Sequence, residues 1–373
     1  MRGRFAFSAA LLALASLAPA VSRALAQTSD QEKSAIAESQ SGSFSFAVSG
    51  DSRNCGDVVM PAIAARVKHS GASFYWHLGD FRAIYNFDED IQHQPEHLAN
   101  PLNISDYEQL AWEDFLQNQI APFGRFPVFL GIGNHETIPP KTRDQYIIQF
   151  ADWLDQQPLR RQRLLDDPND HKLKTYYHWV VGGVDFISLD NGTADQFDSN
   201  QLVWFEKVLL ADSSNAQIRT VVVGMHEALP DSISADHSMD QFAVGTQSGR
   251  RVYADLLKAQ NDAHKRVYIL ASHSHYFMDG IFNTEYWRTN GGVLPGWIVG
   301  TAGAVRYALP TDSKNARAAG TNLYGFLLGT VKPDGEIHFT FQQVNEPDVP
   351  ASITERYKRD FVRWCFEKNS QAQ

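Results

Sequence analysis

The sequence predicts an α/β domain with a substantial β-sheet. From Phe44 onward, apolar runs rich in β-branched and aromatic residues alternate with amphipathic stretches, and 43% of the 373 residues are hydrophobic. Strands that alternate with helices are typical of α/β folds, and this composition excludes wholesale disorder and supplies a large core. The 33 basic and 43 acidic residues give a net charge of −10, which argues against nucleic-acid binding through Lys and Arg contacts to phosphates.

The first 26 residues have the pattern of a secretory signal peptide. Arg2 and Arg4 precede an apolar stretch over residues 5–20, and residues 24–26 form the A-x-A sequence of a cleavage site. The alternative is an uncleaved membrane anchor, although the apolar run is short for a membrane span. We expect cleavage before Gln27, a secreted or periplasmic location, and no membrane span in the mature chain.

The chain has two cysteines, Cys55 and Cys365. An oxidising compartment allows one disulfide between them. Two buried thiols are the alternative, because the sequence does not fix the distance between the two residues.

The elements follow in a simple order along the chain. Residues 27–43 are polar and rich in Ser, Gln and Glu, which indicates a linker before a domain over residues 44–345. Apolar residues at helical spacing predict helices over Val58–Lys68 and Gln201–Leu210. The predicted strands are Phe44–Ser49, Ser73–Leu78, Pro127–Ile132, Thr175–Leu189, Thr220–Gly224, Arg266–Ala271, Trp297–Val299, Gly325–Val331 and Ile337–Gln342.

Three further segments lie within or after this series of strands and helices. Gly182 and Gly183 divide one β-rich run, which predicts a hairpin with a two-residue turn. Residues 88–124 are polar and rich in His, Gln and Asn, which indicates an insertion or a lid. Residues 346–373 form a tail in which Tyr357–Phe366 has the pattern of a short surface helix.

Clusters of metal-ligand residue types follow five of the predicted strands. Because ligands bind beyond the carboxyl ends of strands in α/β sheets, the five clusters are able to converge on one crevice. Carboxylates, imidazoles and an amide oxygen suit Zn²⁺, Mn²⁺ or Fe rather than Ca²⁺. Two such ions about 3.5–4 Å apart activate a water and stabilise a transferring phosphoryl group. The clusters are Gly50-Asp51, Gly79-Asp80, Gly133-Asn134-His135-Glu136, Gly224-Met225-His226 and His273-Ser274-His275.

The order of these clusters resembles the calcineurin-like metallophosphoesterases, which include the purple acid phosphatases. The family pattern runs Asp-x-His, Gly-Asp, Gly-Asn-His-Asp/Glu, a His after a strand, and Gly-His-x-His, and it matches this chain from Phe44 to Gln342. The resemblance implies a four-layer α-β-β-α sandwich with a site for two metal ions. It also implies hydrolysis of a phosphomonoester or phosphodiester, either a small molecule or a lipid.

The resemblance further assigns roles to single residues. The implied first ion binds Asp51, Asp80 and His275, and Asp80 bridges to the second ion. The six implied metal ligands are Asp51, Asp80, Asn134, His226, His273 and His275.

Two neighbours of these ligands receive supporting roles from the same resemblance. His135 is implied near the leaving-group oxygen, where it acts as general acid or, alternatively, only positions the substrate. Glu136 is expected to orient His135 or a metal ligand from behind.

The first motif departs from the family pattern. Arg53 replaces the histidine of Asp-x-His, and Arg does not ligate metals because its guanidinium stays protonated. Three outcomes are open: water, Asn54 or Tyr85 fills the position, the first ion binds weakly, or Arg53 holds a phosphate oxygen directly. A surface salt bridge is the alternative interpretation of Arg53.

Two other functions fit parts of the sequence. The missing ligand agrees with a non-catalytic or single-metal degenerate scaffold that acts as a binding module. Gly50-Asp51-Ser52 resembles the opening block of the GDSL-type serine esterases, in which Ser52 would be the nucleophile. The esterase hypothesis leaves the three later histidines unexplained, and the Asp-x-x-His that such enzymes carry late in the chain is missing.

Overall fold

The computed structural model describes residues 43–193, 196–234 and 237–371. The predicted signal peptide and residues 27–42 of the predicted linker lie outside these ranges. The described strands are β1 Phe44–Ser49, β2 Ala72–His77, β3 Val128–Leu130, β4 Tyr177–Val181, β5 Val184–Ser188, β6 Thr220–Gly224, β7 Arg266–Ala271, β8 Phe277–Asp279, β9 Gly296–Val299, β10 Ala318–Gly320, β11 Tyr324–Val331 and β12 Ile337–Val344. The α-helices are α1 Gly56–His69, α2 Glu89–Gln92, α3 Pro95–Ala99, α4 Ile104–Phe115, α5 Arg143–Gln149, α6 Ala151–Leu154, α7 Gln157–Asp166, α8 Ser199–Ser214, α9 Ala243–Asn261, α10 Glu285–Thr289, α11 Ala351–Tyr357 and α12 Arg359–Glu367.

The strands form two sheets. The first has the order β12-β11-β1-β2-β3, and the second has the order β10-β8-β9-β7-β6-β5-β4. Strands β1, β2 and β3 are parallel to one another, as are β5, β6, β7 and β9. Parallel strands within a sheet bring their carboxyl ends to one edge, which is where the loops with the metal-ligand residue types begin.

The alternation of side chains along the strands builds three apolar layers. Phe46 and Phe186 point between the two sheets, where their ring centroids lie 4.9 Å apart. Ala47, the next residue of β1, points outward and packs with Val59 of α1. On the far side, β5 and β6 pack against α8 and α9 through a separate apolar cluster. The order helix, sheet, sheet, helix is the expected four-layer sandwich, so the fold prediction is confirmed.

The predicted hairpin is present with the expected turn. Strands β4 and β5 are antiparallel, with Val181 opposite Val184. Gly182 and Gly183 have φ angles of 59° and 79°. Both angles lie in the left-handed region that a two-residue type I′ turn requires and that glycine adopts without a steric penalty.

The segment expected as an insertion or lid contains α2, α3 and α4 and is anchored in the interior. Arg82 is fully buried and pairs with Asp57 of α1, Asp90 of α2 and Asp114 of α4. The Tyr357 hydroxyl donates to Asp57 at 2.6 Å. This network joins the insertion both to the loop after β2 and to the C-terminal region.

The C-terminal region has one more helix than predicted. The helix expected over Tyr357–Phe366 is present as α12, and α11 precedes it; the two meet at Lys358, whose φ of 65° breaks the helical geometry. Helix α12 buries Phe361, Val362 and Cys365 against the core and exposes its opposite face, as expected of a surface helix. A disulfide joins Cys365 to Cys55 at the start of α1. Within the described part of the chain, every helix is too short or too polar to cross a membrane.

Candidate metal centre

The loops that follow five strands bring six predicted ligands to one place. Asp51 follows β1, Asp80 follows β2, and His273 follows β7, with φ angles of 60°, 60° and 62°. These left-handed conformations cost non-glycine residues about 1–3 kcal/mol each, and such strain is typical of functional sites. The six residues are Asp51, Asp80, Asn134, His226, His273 and His275.

Glycines allow the loops to approach each other closely. A Cβ atom on Gly133 would lie 2.3 Å from Asp80 Oδ1 and 2.9 Å from His226 Nδ1. A Cβ atom on Gly300 would lie 2.9 Å from Asp51 Oδ2. The glycine of Gly-Asn-His-Glu therefore provides the space in which two of the ligands meet.

One half of the centre gathers four potential ligand atoms, Nε2 of His226 and three atoms around it. Its Nε2 lies 3.0 Å from Asn134 Oδ1, 3.0 Å from His273 Nδ1 and 3.3 Å from Asp80 Oδ1. Metal–nitrogen bonds of about 2.0–2.1 Å separate adjacent ligand atoms by about 2.8–3.0 Å in octahedral and about 3.3–3.4 Å in tetrahedral geometry, so the spacing fits one ion. Asp80, His226 and His273 form the only His/Asp/Glu/Cys group of this kind among the described residues.

The surroundings of His226 orient its ring. Nδ1 lies 3.2 Å from Leu78 O and 3.1 Å from Ser272 Oγ, so the carbonyl accepts the Nδ1 hydrogen and Nε2 faces the centre. Burial lowers the pKa of His226, but the nearby carboxylates, Asp80 above all, outweigh burial and raise it to about 10. The two aspartates therefore make this half of the centre attractive to positive charge.

Arg53 occupies the other half of the centre. Its Nη1 donates to His135 Nε2 at 2.6 Å, and its Nη2 donates to His275 Nε2 at 3.2 Å. Its Nε lies 3.9 Å from Asp80 Oδ2. With 14% of its side chain exposed, Arg53 belongs to the site and is not a surface salt bridge.

Both imidazoles that contact Arg53 are held in the acceptor form. His135 Nδ1 lies 2.6 Å from Ala83 O, and His275 Nδ1 lies 2.7 Å from Val305 O. Because each carbonyl accepts the Nδ1 hydrogen, each Nε2 carries the lone pair that Arg53 engages. Burial lowers the pKa of both rings, that of His135 to about 4, so both are neutral near pH 7.

Glu136 supports the loops rather than the centre itself. Its carboxylate accepts hydrogen bonds from the backbone N–H groups of Asp80 at 2.8 Å, Phe81 at 2.9 Å and Gly133 at 2.8 Å. Burial raises the pKa of Glu136 to about 7. These bonds fix the loop of Asp80 against the loop of Asn134.

Aromatic side chains contact the histidines of the centre. The Tyr307 ring stacks on His275 with centroids 4.0 Å apart, and His237 stacks on Tyr307 at 5.2 Å. Tyr85 lies 5.2 Å from the His135 ring and is 61% exposed. No sequence motif marks Tyr307, and the polar loop around His237 is equally typical of a solvated histidine.

Two residues that the sequence offered for other roles make contacts that do not support those roles. The Asn54 amide binds the Asn369 side chain at 2.5 Å and therefore does not fill the position of the missing histidine. Ser52 is fully buried, and its Oγ has no hydrogen-bond partner among the described residues. A serine nucleophile needs a base within hydrogen-bond reach, so this geometry does not support the serine esterase hypothesis.

Comparison with known proteins decides the family. The family model described as calcineurin-like phosphoesterase matches residues 48–277, which is more than half of the chain. The chain belongs to the calcineurin-like phosphoesterase family. It is therefore a hydrolase of phosphoric esters, as the sequence predicted, and the Asp80, His226 and His273 cluster lies inside the matched region.

Several solved structures are similar in fold. PhoD is 14% identical, with a TM-score of 0.47 over 82% of this chain and 72% of that chain. A 5'-nucleotidase structure from Staphylococcus aureus is 13% identical, with a TM-score of 0.42 over 85% of this chain and 58% of that chain. The GAP50 structure from Plasmodium is also 13% identical, with a TM-score of 0.41 over 82% and 90%. A search of curated protein sequences gave no match.

Proposed function

We propose that the chain is a secreted, metal-dependent phosphoesterase that hydrolyses a small phosphomonoester or phosphodiester, with a soluble or a lipid leaving group. The observation that carries the proposal is the convergence of Asp80, Asn134, His226 and His273 on one point, within the region that matches the family. Secretion is supported by the signal-peptide pattern and by the disulfide, which is typical of oxidising compartments.

The donor set suits Mn, Zn or Fe. A metal ion bound by these residues supplies Lewis acidity for the phosphoryl group and lowers the pKa of a water. The set expected for the first ion, Asp51, Asp80 and His275, is contacted by Arg53. Asp51 Oδ1 and Asp80 Oδ2 are buried and make no hydrogen bond among the described residues, which supports a role in binding positive charge.

Arg53 and His135 are the proposed substrate-contacting residues of the chain. The guanidinium is always charged, and it matches two phosphoryl oxygens in shape. His135 presents Nε2 to the centre because Ala83 O holds Nδ1. We propose that Nε2 of His135 takes a proton from solvent and passes it to the leaving oxygen once Arg53 has turned to the phosphoryl group, since Arg53 otherwise fills the Nε2 position and its charge helps to lower the pKa of the ring.

Substrates with different leaving groups distinguish the two possible roles of His135, proton donor and substrate-positioning residue. If His135 is the proton donor, His135→Gln slows hydrolysis of an alkyl phosphate by about 10²–10⁴-fold, but has little effect on p-nitrophenyl phosphate, whose leaving group needs no proton. An equal loss for both substrates would mean that the imidazole only positions the substrate.

The proposal as a whole is tested by removing two metal ligands. We expect His226→Ala and Asp80→Asn each to lower kcat for p-nitrophenyl phosphate or bis(p-nitrophenyl) phosphate by more than about 10²-fold, since each change removes a donor from the ion. His338→Ala, on an exposed position of β12, is the control and should retain the wild-type rate. Ligand variants with wild-type rates, or a native chain inactive on both esters with every candidate metal, would favour the binding-module hypothesis.

A further inference from the structure

The region where the family pattern implies the first ion already contains a positive group. Asp51, Asp80 and His275 are the residues implied for that ion, and the Arg53 guanidinium lies among them. Its Nη2 is 3.2 Å from His275 Nε2, and its Nε is 3.9 Å from Asp80 Oδ2. Tyr307 closes the far side, with its hydroxyl oxygen 3.5 Å from Nη2.

Arg53 uses the lone pair that an ion would need. Because Val305 O holds the Nδ1 hydrogen of His275, Nε2 is the ring atom left to act as a ligand, and it accepts from Arg53. Among the implied ligands on this side, only carboxylate oxygens are then left, and one oxygen of Asp51 already accepts from the His273 backbone at 2.8 Å. One side of the centre therefore lacks the donor set that the His226 side possesses.

The charges of Asp51, Asp80 and Arg53 also argue against an ion on this side of the centre. Asp51 and Asp80 supply two negative charges, and Arg53 compensates one of them without any metal. The guanidinium of an arginine stays protonated in proteins, so it does not lose its proton to make way for an ion. An ion beside a partly buried guanidinium would meet strong repulsion, because at about 4 Å even unit charges interact by about 4 kcal/mol near a protein surface.

We propose that this chain holds one metal ion, bound by Asp80, Asn134, His226 and His273, and that the Arg53 guanidinium takes the place of the other. The inference rests on the proposed function for the identity of the site, but it concerns the number of ions and the residue that replaces one of them. Arg53 contacts the phosphoryl oxygens that the absent ion would otherwise contact, through hydrogen bonds instead of coordination.

The number of ions per chain tests this inference without reference to activity. The chain, stripped with chelator and reloaded with Mn²⁺ or Zn²⁺, is analysed by native mass spectrometry and by elemental analysis. We expect one ion per chain for the wild type, none for His226→Ala, and still one for Asp51→Asn, since Asp51 faces Arg53's half of the centre. Arg53→His restores the family motif and is expected to bind two ions.

Each measured metal content either supports or overturns the inference of a single ion. Two ions in the wild type, falling to one in Asp51→Asn, would overturn the inference and leave the proposed function intact. No ion in the wild type would overturn both. One ion in Arg53→His would show that Arg53 is not what excludes the second ion. Circular dichroism of each variant establishes that it is folded before its metal content is compared.

Discussion

At the scale of the single residue, the size of Gly133 controls the metal centre. Gly133→Ala places a Cβ 2.3 Å from Asp80 Oδ1 and 2.9 Å from His226 Nδ1, so the two ligands must separate. We expect metal affinity to fall by roughly 10–100-fold, the range seen when support of a ligand is lost. Isothermal titration of the metal-free protein measures the effect.

A matched glycine provides the control for this change. Gly124→Ala has open space around its Cβ, although its φ of 65° makes the substitution mildly strained. It should lower stability slightly and leave metal affinity unchanged. Equal affinities in Gly133→Ala and the wild type would show that the observed packing does not determine the metal site.

Some residues of the centre lie in a recognisable sequence motif, and others do not. Asn134, His135 and Glu136 lie in a recognisable block after an apolar strand, so sequence reasoning singles them out. Tyr307 follows no motif and reaches His275 only because the loop after β9 folds over it. The sequence likewise does not predict the contact between Arg53 and His135, since the two residues are 82 positions apart.

At the scale of the element, an ion cluster with a buried histidine joins the β4–β5 hairpin to α7. His178 Nδ1 lies 2.7 Å from Asp185 Oδ2, and Nε2 lies 2.6 Å from Asp166 Oδ2. Burial lowers the pKa of His178, but the two carboxylates outweigh it and raise the pKa to about 10. The ring is therefore charged in the folded chain at neutral pH.

We expect His178→Gln to lower the free energy of unfolding by about 3–5 kcal/mol at pH 6, because it leaves a buried carboxylate without its partner. The folded pKa of about 10 exceeds the unfolded value of about 6.5, so the stabilisation is complete below pH 6.5 and is lost as the pH rises through 10. Urea unfolding of both proteins at pH 6 and pH 9.5 measures the difference. A pH-independent gap would contradict the charged pair.

Strands and helices were predictable where a clear pattern of apolar residues marked them. Strands such as β1 and β6 are short apolar runs, and the structure has both at their predicted bounds. Helix α9 was missed because its first half carries Gly245, Gly249 and several polar residues, which hide its apolar stripe. The break at Lys358 was not predictable, since neither glycine nor proline marks this position, although its φ is 65°.

At the scale of the whole molecule, the disulfide links positions 310 residues apart. It closes the domain by joining the start of α1, beside the metal loops, to α12. Replacing Cys55 and Cys365 by Ala should lower the free energy of unfolding by about 2–4 kcal/mol, because the unfolded chain is then less constrained. Thermal unfolding of the wild type with and without reductant provides the parallel measurement. Unchanged stability in both experiments would contradict a structural role for the bond.

The architecture shows what the sequence alone supports. Alternating strands and helices predicted an α/β fold, and the resemblance supplied the four-layer order that the packing confirms. The sequence left the pairing of the two cysteines open because it does not fix the distance between Cys55 and Cys365 in the fold. The acidic balance, −10 for the whole chain, fits a site whose positive charge is local and comes from Arg53 and, under the proposed function, from a metal ion.

The most direct test of the central claim is the rate of phosphoester hydrolysis as metal is removed and returned. Chelation should abolish hydrolysis of p-nitrophenyl phosphate or its diester, and added Mn²⁺ or Zn²⁺ should restore it in wild-type protein but not in His226→Ala. Hydrolysis that persists at the full rate after chelation, and that His226→Ala leaves unaltered, would contradict a metal-dependent phosphoesterase at this centre.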